Sequence, residues 1–168
     1  GGGLSSRHGR GGLGVSGRGF ATGGGVGGTW DWNRYPGARL DSESYTYGYA
    51  FSDDLLKEWD WSEHFAPQPE TERYLNHVVD RFDLRRDIQC HSRVASAVWE
   101  EAARMWDVTL DDGHAYCCRF LITAGGPLSA GTLPEVEDIA DFKGQSVHTD
   151  RWPPEATAFS GTRVAAVA

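Results

Sequence analysis

An apolar run that ends in two glycines is the feature that most constrains the fold of this chain. Residues 114–124 read HAYCCRFLITA, and Gly125 and Gly126 follow directly. Continuous apolar runs of this kind are typical of strands buried in a parallel sheet, and a glycine turn after such a strand faces a ligand in many α/β proteins. The pattern therefore predicts an α/β fold with a buried strand over 114–124.

The residues before this run predict a β-meander. Residues 93–100 and 105–110 are strand-like, and Asp112-Gly113 is a tight-turn pair between 105–110 and the apolar run. The meander therefore consists of three consecutive strands, of which 114–124 is the last.

Two helices are predicted upstream of the meander. Ser52 is a good N-cap for a short helix that ends at Trp59 or Trp61. The clearer helix spans 69–82: Pro69 suits its first turn, and apolar residues recur on one face. These are Tyr74, Leu75, Val78, Val79 and Phe82.

The remaining segments are predicted to be irregular, except for the last one. Residues 30–51 are aromatic without clean periodicity and predict an ordered loop, and residues 127–160 are mostly loop. Residues 163–168 (RVAAVA) resemble the start of another buried strand.

Composition excludes several classes of function. The chain has 168 residues, enough for one domain, and a net charge of −8, which disfavours nucleic-acid or anionic-membrane partners. We find no apolar stretch of membrane-spanning length and no signal peptide. The three cysteines form no CxxC pair, which is typical of reduced thiols and predicts a cytoplasmic protein.

The first 28 residues differ from the rest. They hold 14 of the 22 glycines and no acidic residue, which predicts a flexible arm, with residues 1–20 irregular. From Trp30 onward the composition is that of a globular enzyme.

Residues 25–41 (GVGGTWDWNRYPGARLD) are the first segment with a chemical signature. Glycine allows close backbone approach, tryptophan and tyrosine offer flat apolar surface, and Arg34, Arg39 and Asp41 add sparse charge. This combination suits a large planar cofactor that carries phosphates. An aromatic-packed loop with scattered ions is an equally good interpretation of composition alone.

The second segment, 142–153 (FKGQSVHTDRWP), has the form F-x-G-x-x-x-H-x-x-x-W-P. A lone histidine among polar residues is usually a hydrogen-bonded loop residue, and the spacing alone dictates no chemistry.

Together these segments resemble the type I Baeyer–Villiger monooxygenases. Phe142, Gly144, His148, Trp152 and Pro153 match every fixed position of that family's fingerprint. The similarity covers residues 23–167 and includes GGTW (27–30), NRYPG (33–37), Ser44, Tyr47, FS (51–52), QPE (68–70), RYL (73–75), Ala124, Gly126 and LS (128–129).

The resemblance implies a Rossmann-like FAD/NAD(P)-binding domain with a β-meander, truncated at both ends. The family uses FAD and NADPH to insert one oxygen of O₂ into a ketone, giving an ester or lactone, and the cofactor carries the hard chemistry. The expected partners are therefore a small ketone and O₂, with the rest of an NADPH domain as a further partner. We expect the chain alone to be inactive.

The resemblance also implies site residues. The FAD-binding positions are Thr29, Trp30, Asp31, Trp32, Asp41, Tyr47 and Val94. The NADP positions are Arg39, Leu40 and Asp41, and the domain hinge carries His148 and Trp152. The family's catalytic arginine is expected downstream of the chain, so no catalytic residue is assigned here.

The resemblance divides the chain into a degenerate start of the FAD-binding unit (1–28), the FAD-binding domain (29–160) and the first strand of an NADPH domain (161–168). The start departs from the family. The first strand and the earlier glycines of G-x-G-x-x-G have no counterpart, and Ala21 stands where an acid binds the ribose. Gly125 replaces a usual threonine. We therefore expect weak FAD binding.

Three alternatives remain. A flavin monooxygenase that oxidises nitrogen or sulfur shares the two-domain plan, although the Trp152-Pro153 ending favours the Baeyer–Villiger type. Gly/Arg stretches within 9–20 resemble RNA-binding arms, but only Phe20 is aromatic there. A metal site could be built from Cys90, His91, His114, Cys117 and Cys118, yet adjacent strand cysteines point to opposite faces.

Overall fold

The structure is a computed structural model that describes residues 16–153 and 159–167. In this part of the chain a parallel pair joins β1 (Gly19–Phe20) to β2 (Ile88–Gln89), and an antiparallel sheet has the order β3–β4–β5. These three strands are Val94–Glu100, Met105–Leu110 and Ala115–Cys118. Helices α1 (Thr29–Trp32), α2 (Ser44–Tyr47), α3 (Asp53–Glu58) and α4 (Gln68–Arg81) lie between β1 and β2. Single 3₁₀ turns occupy Arg85–Asp87, Ile139–Asp141 and Thr149–Arg151.

Both predicted helices are confirmed. Ser52 caps α3, because its hydroxyl accepts a hydrogen bond from the Leu55 amide at 3.3 Å. Pro69 lies in the first turn of α4, where its lack of an N–H costs no helical hydrogen bond. The periodic face of α4 is buried: Tyr74, Val78 and Val79 are each at most 2% exposed.

Helix α4 separates two apolar clusters. Val79 packs with Val26 and Leu84 on one side, and Tyr74 and Val78 pack with Leu55 on the other. Three aromatic rings surround Tyr74, with centroid distances of 6.1 Å to Tyr49, 5.3 Å to Trp59 and 4.9 Å to Trp61. The aromatic segments therefore serve the core as well as the cavity described below.

The predicted meander is confirmed in its first two strands and its turn. Strands β3 and β4 pair from Val94↔Leu110 to Glu100↔Met105. At the turn after β4, Gly113 has φ 89° and the Asp112 carboxylate accepts from the His114 amide at 2.9 Å. The positive φ explains why glycine follows aspartate here.

The prediction of a strand over 114–124 is wrong beyond Cys118. Strand β5 covers Ala115–Cys118, and Phe120 and Ile122 are 76% and 81% exposed. No described strand pairs with 119–124, so the backbone of this segment has no ladder to join. Residues 162–167 are likewise outside any strand, with Val164 63% exposed, so the strand predicted at 163–168 is wrong for the residues that are described.

The segment 30–51 contains two single-turn helices, α1 and α2, that the loop prediction missed. A helix of one turn shows no apolar periodicity, so sequence patterning cannot reveal it. The predicted irregular arm, residues 1–20, lies outside the described residues up to position 15.

Candidate cofactor site

A cavity of about 1330 Å³ lies between the glycine-rich segment 21–28, helix α4, the segment 124–129 and the end of the fingerprint, 150–153. Drug-sized ligands occupy sites of roughly 300–1,000 Å³, so this cavity has room for a larger molecule. Residues 21–32 line it, except Gly24 and Trp30, and so do the segments 124–129 and 150–153. The remaining lining residues are Thr46, Tyr47, Tyr49, Leu75, Val78, Val79, Ile88 and Arg93.

Main-chain hydrogen bonds hold the wall that follows β1. The Ala21 amide donates to Gln89 O at 2.9 Å, and the Ser92 amide donates to Ala21 O at 2.9 Å. The His91 amide donates to Gly23 O at 2.9 Å. The parallel pairing of β1 with β2 thus continues, as bonds of the backbone alone, to the edge of the cavity.

Two glycines in this wall accommodate Asp31. A Cβ atom at Gly23 would lie 2.5 Å from one Asp31 carboxylate oxygen, and a Cβ at Gly25 would lie 2.7 Å from the other. Side chains at these positions would therefore collide with the carboxylate. The sequence predicted glycines that let a ligand approach the backbone; at Gly23 and Gly25 the group that approaches is the Asp31 carboxylate.

The backbone at Gly27 and Gly28 starts α1. These residues have φ 132° and 56°, which only glycine adopts without strain, and their carbonyls accept from the Trp30 and Asp31 amides, both at 3.1 Å. The resulting turn directs Thr29, Asp31 and Trp32 to the cavity. Trp30 is not among the residues that line it.

Trp30 supports a cavity residue instead. Its indole N–H donates to the Tyr47 hydroxyl at 2.7 Å, and the two rings meet edge to face, with an interplanar angle of 88°. Tyr47 lines the cavity. Because the hydroxyl accepts from Trp30, its own proton is available to an acceptor elsewhere.

A polar network fastens α1 to α4. The Gln68 side chain donates to Trp30 O and, at 2.9 Å, to the Glu72 carboxylate. Arg34 pairs with the same carboxylate at 2.7 Å. Gln68 is 6% exposed, so these bonds form largely away from solvent.

The predicted NADP positions lie outside the described cavity wall. Leu40 is 3% exposed and its amide donates to Ala66 O at 2.9 Å, whereas Asp41 is exposed. Arg39 pairs with Glu63 at 3.0 Å. Val94 is also outside the wall, although its neighbour Arg93 lines the cavity.

The fingerprint contributes its C-terminal part. Trp152 and Pro153 line the cavity together with Asp150 and Arg151. His148 precedes the 3₁₀ turn Thr149–Arg151, and Trp152 directly follows it. Phe142 is 64% exposed, and a Cβ at Gly144 would overlap its ring. The spacing of the motif thus brings Trp152 and Pro153, but not Phe142 and Gly144, to the site.

Several lining residues were not predicted as site residues. Leu75, Val78 and Val79 of α4 form an apolar side, and Tyr49 contributes a phenol whose pKa is raised by burial and then by Tyr47 and Tyr74. The periodicity of α4 indicated an apolar face but not which part of it borders a cavity. Residues 124–129 also line the cavity, so the glycine turn faces it as predicted.

A second, open cavity of about 590 Å³ lies beside α3, and no predicted site residue lines it. The metal alternative finds no support among the described residues, which hold no cluster of three His, Cys, Asp or Glu side chains that could bind an ion. No helix in 16–153 or 159–167 is long and apolar enough to cross a membrane.

No model of a known protein family matches the chain. Among curated proteins, 2-oxo-Δ³-4,5,5-trimethylcyclopentenylacetyl-CoA monooxygenase of Pseudomonas putida is 49% identical over 84% of the chain. Acetone monooxygenase (methyl acetate-forming) of Gordonia is 51% identical over 85%, and phenazine N-monooxygenase of Lysobacter antibioticus is 41% identical over 92%. The chain spans 27%, 27% and 28% of the lengths of these relatives.

Solved structures show the same similarity to monooxygenases. Oxidized steroid monooxygenase bound to NADP superposes with a TM-score of 0.80 at 51% identity, over 88% of the chain and 28% of that protein. Cyclohexanone monooxygenase from Rhodococcus bound to NADP⁺ superposes with a TM-score of 0.75 at 41% identity, over 82% of the chain and 26% of that protein. The enzyme OTEMO in complex with FAD and NADP superposes with a TM-score of 0.72 at 51% identity, over 80% of the chain and 25% of that protein.

The α/β fold around this cavity is therefore that of the flavin- and NADP-binding monooxygenases. Within that class the chain belongs to the Baeyer–Villiger monooxygenases, of which it represents a segment about a quarter as long as the full enzymes.

Proposed function

We propose that this chain supplies the flavin-binding wall of an FAD- and NADPH-dependent monooxygenase that inserts one oxygen of O₂ into a ketone to give an ester or lactone. The observation that carries the proposal is the convergence of α1, Tyr47 and the Trp152-Pro153 end of the fingerprint on one cavity. The fingerprint end lies more than a hundred residues after α1 and Tyr47 in the sequence.

Several residues of the cavity wall fit a flavin ring. Trp32 and Leu75 offer apolar surface, Gly27 and Gly28 leave the backbone open, and the Tyr47 hydroxyl has a proton to donate. Bound FAD would accept hydride from NADPH and activate O₂. The chain's own residues would hold and orient the ring and exclude water from it.

Two other features of the same wall fit FAD less well. Ala21 offers no side-chain acceptor to a ribose hydroxyl. The Asp31 carboxylate, although it stands at one of the FAD positions that the resemblance implies, lies against Gly23 and Gly25 and would repel a phosphate that approached them. Either defect removes or opposes a hydrogen bond worth roughly 1–3 kcal/mol. We therefore expect the chain to bind FAD weakly.

Arg39, Leu40 and Asp41 remain our proposed NADP contacts, and Val94 our proposed adenine contact. Leu40 is buried and Arg39 is held by Glu63, so the backbone of this loop is well placed to present a fixed surface. The free thiols of Cys90, Cys117 and Cys118 suit a cytoplasmic location.

FAD affinity tests the proposal. We expect the purified chain to be colourless after desalting and to bind added FAD weakly by calorimetry. Ala21→Glu should tighten binding, and Trp32→Ala and Tyr47→Phe should weaken it further, whereas the exposed Glu135→Ala should not change it. If Trp32→Ala binds FAD as tightly as the unmodified chain, the flavin lies elsewhere. If the unmodified chain purifies with near-stoichiometric FAD, the expectation of weak binding is refuted.

Turnover tests the activity. The 168-residue chain with NADPH, FAD and cyclic, linear and aromatic ketones should consume NADPH only at background rate, because the chain spans about a quarter of the length of active relatives. Ester or lactone above the level of a boiled sample would contradict this expectation.

Nitrogen oxidation is the second candidate. The relative of Lysobacter antibioticus is named for N-oxidation of phenazine and is 41% identical over 92% of the chain. This similarity keeps nitrogen substrates open for a complete enzyme of this kind. A complete enzyme assembled on this segment should be assayed with ketones and with aromatic N-heterocycles, and the preferred product class identifies the substrate.

A further inference from the structure

Asp150 lies between the fingerprint histidine and a segment of the cavity wall. One of its carboxylate oxygens makes a short contact with Nδ1 of His148, and the side chains are 20% and 32% exposed. The Asp150 amide also donates to Nδ1, at 3.3 Å, so the side chain and the backbone of Asp150 both meet this edge of the ring. The other ring nitrogen, Nε2, lies 3.2 Å from the Thr132 carbonyl oxygen.

The second carboxylate oxygen of Asp150 faces Gly131. A Cβ atom at this glycine would overlap the carboxylate, and the φ of Gly131 is not among the positive values. The space, and not the backbone conformation, therefore requires glycine at this position. Arg151 is a weak competitor for the carboxylate, with its Nε 4.0 Å away and its side chain 87% exposed.

These contacts join two sides of the cavity. The segment 131–132 follows the wall residues 124–129, and Asp150 precedes the wall residues Trp152 and Pro153. The hydrogen bond at one nitrogen of a histidine determines which nitrogen is protonated and how the ring is turned. The Asp150 carboxylate thereby aims Nε2 of His148 at Thr132.

We propose that Asp150 is a positioning residue that orients His148 and holds the segment 124–132 against the fingerprint turn. It lies at one of the variable positions of the F-x-G-x-x-x-H-x-x-x-W-P pattern, so the fingerprint itself does not require it. Any effect on cofactor affinity rests on the function proposed above, whereas the orientation of His148 does not.

The orientation is measurable by NMR on the ¹⁵N-labelled chain, with the His148 signals assigned by His148→Gln. We expect a cross-peak between the His148 ring and Thr132, and ring ¹⁵N shifts in which Nε2 carries a hydrogen, because the Thr132 carbonyl that it faces can only accept. Asp150→Ala should remove the cross-peak and give the tautomer mixture of free histidine. Asp150→Asn retains an acceptor oxygen and should restore part of both signals.

Gly131→Ala provides an independent test. Its methyl group should displace the carboxylate and reproduce the Asp150→Ala spectrum, and it should add nothing in an Asp150→Ala background. Unchanged His148 shifts and an intact cross-peak in Asp150→Ala would overturn the proposal. Because these signals are read without cofactor, failure of FAD binding would count against the proposed function alone.

Discussion

Trp30 donates its indole hydrogen to the hydroxyl of Tyr47 at 2.7 Å, across 17 residues of sequence. The pair makes Trp30 a support for the cavity, whereas Tyr47 faces into it. We expect Trp30→Phe to keep the apolar ring, lose the donor and reduce the free energy of unfolding by about 0.5–1.5 kcal/mol. Urea unfolding measures the loss. Tyr47→Phe should cost a similar amount, and the double variant should cost less than the sum, since both changes remove one bond; additive losses would show that the bond contributes nothing.

Glu70 is a buried carboxylate on α4, 4% exposed, that accepts from both the amide and the hydroxyl of Ser62. Glu70→Ala leaves these donors without their partner and should lower the free energy of unfolding by about 1–3 kcal/mol. Glu70→Gln keeps one acceptor and should lose less. The exposed Glu135→Ala is the matched control and should stay within about 0.5 kcal/mol of the wild type. Equal effects at the two glutamates would contradict the role assigned to Ser62.

The end of β5 at Cys118 predicts opposite outcomes for two apolar residues. Leu110 is 1% exposed, so Leu110→Ala should cost about 2–5 kcal/mol of unfolding free energy. Phe120 is 76% exposed, so Phe120→Ala should change stability by less than about 0.5 kcal/mol. Thermal and urea unfolding of the two variants compare them directly. A large loss in Phe120→Ala would mean that the strand continues as the sequence indicated.

The Asp107 carboxylate accepts a hydrogen bond from the Cys117 thiol and raises the pKa of that thiol, with its charge and burial adding to the shift. The raised pKa keeps Cys117 protonated, so its thiolate fraction at pH 8 is small. Asp107→Asn should lower the pKa and speed alkylation by iodoacetamide several-fold. Cys118 and Cys90 are internal references in the same digest, followed by mass spectrometry. An unchanged Cys117 rate would exclude this role of the carboxylate.

Local pattern predicted much of this fold. The helix from Gln68, the cap at Ser52 and the turn at Asp112-Gly113 each depend on neighbours within a few residues, and each is present. The last strand failed because a strand needs a second strand beside it, and an apolar run cannot state whether that neighbour is present.

The sequence likewise predicted some residues of the candidate site and missed others. Of the FAD positions that the family resemblance implies, Thr29, Asp31, Trp32 and Tyr47 line the cavity, whereas Trp30, Asp41 and Val94 do not. Trp152 and Pro153, which the resemblance gave only as fingerprint positions, line it as well. A motif records which positions recur but not which direction each side chain takes. The contact between Asp31 and the glycines needs coordinates, because residues eight apart have no fixed relation in an irregular segment.

The wall after β1 is held by amides and carbonyls of Ala21, Gly23, Gln89, His91 and Ser92. Such a wall keeps its position when its side chains are exchanged, provided that the donors remain. Proline at 91 or 92 would remove one of the donating amides and is therefore the replacement that should displace the wall. At Gly25 the constraint belongs to Asp31 alone, whereas a Cβ at Gly23 would also lie 3.3 Å from the Trp32 ring. A chain that loses this aspartate is therefore free to fill Gly25 first, and the loss of the aspartate should precede that change as such a sequence diverges.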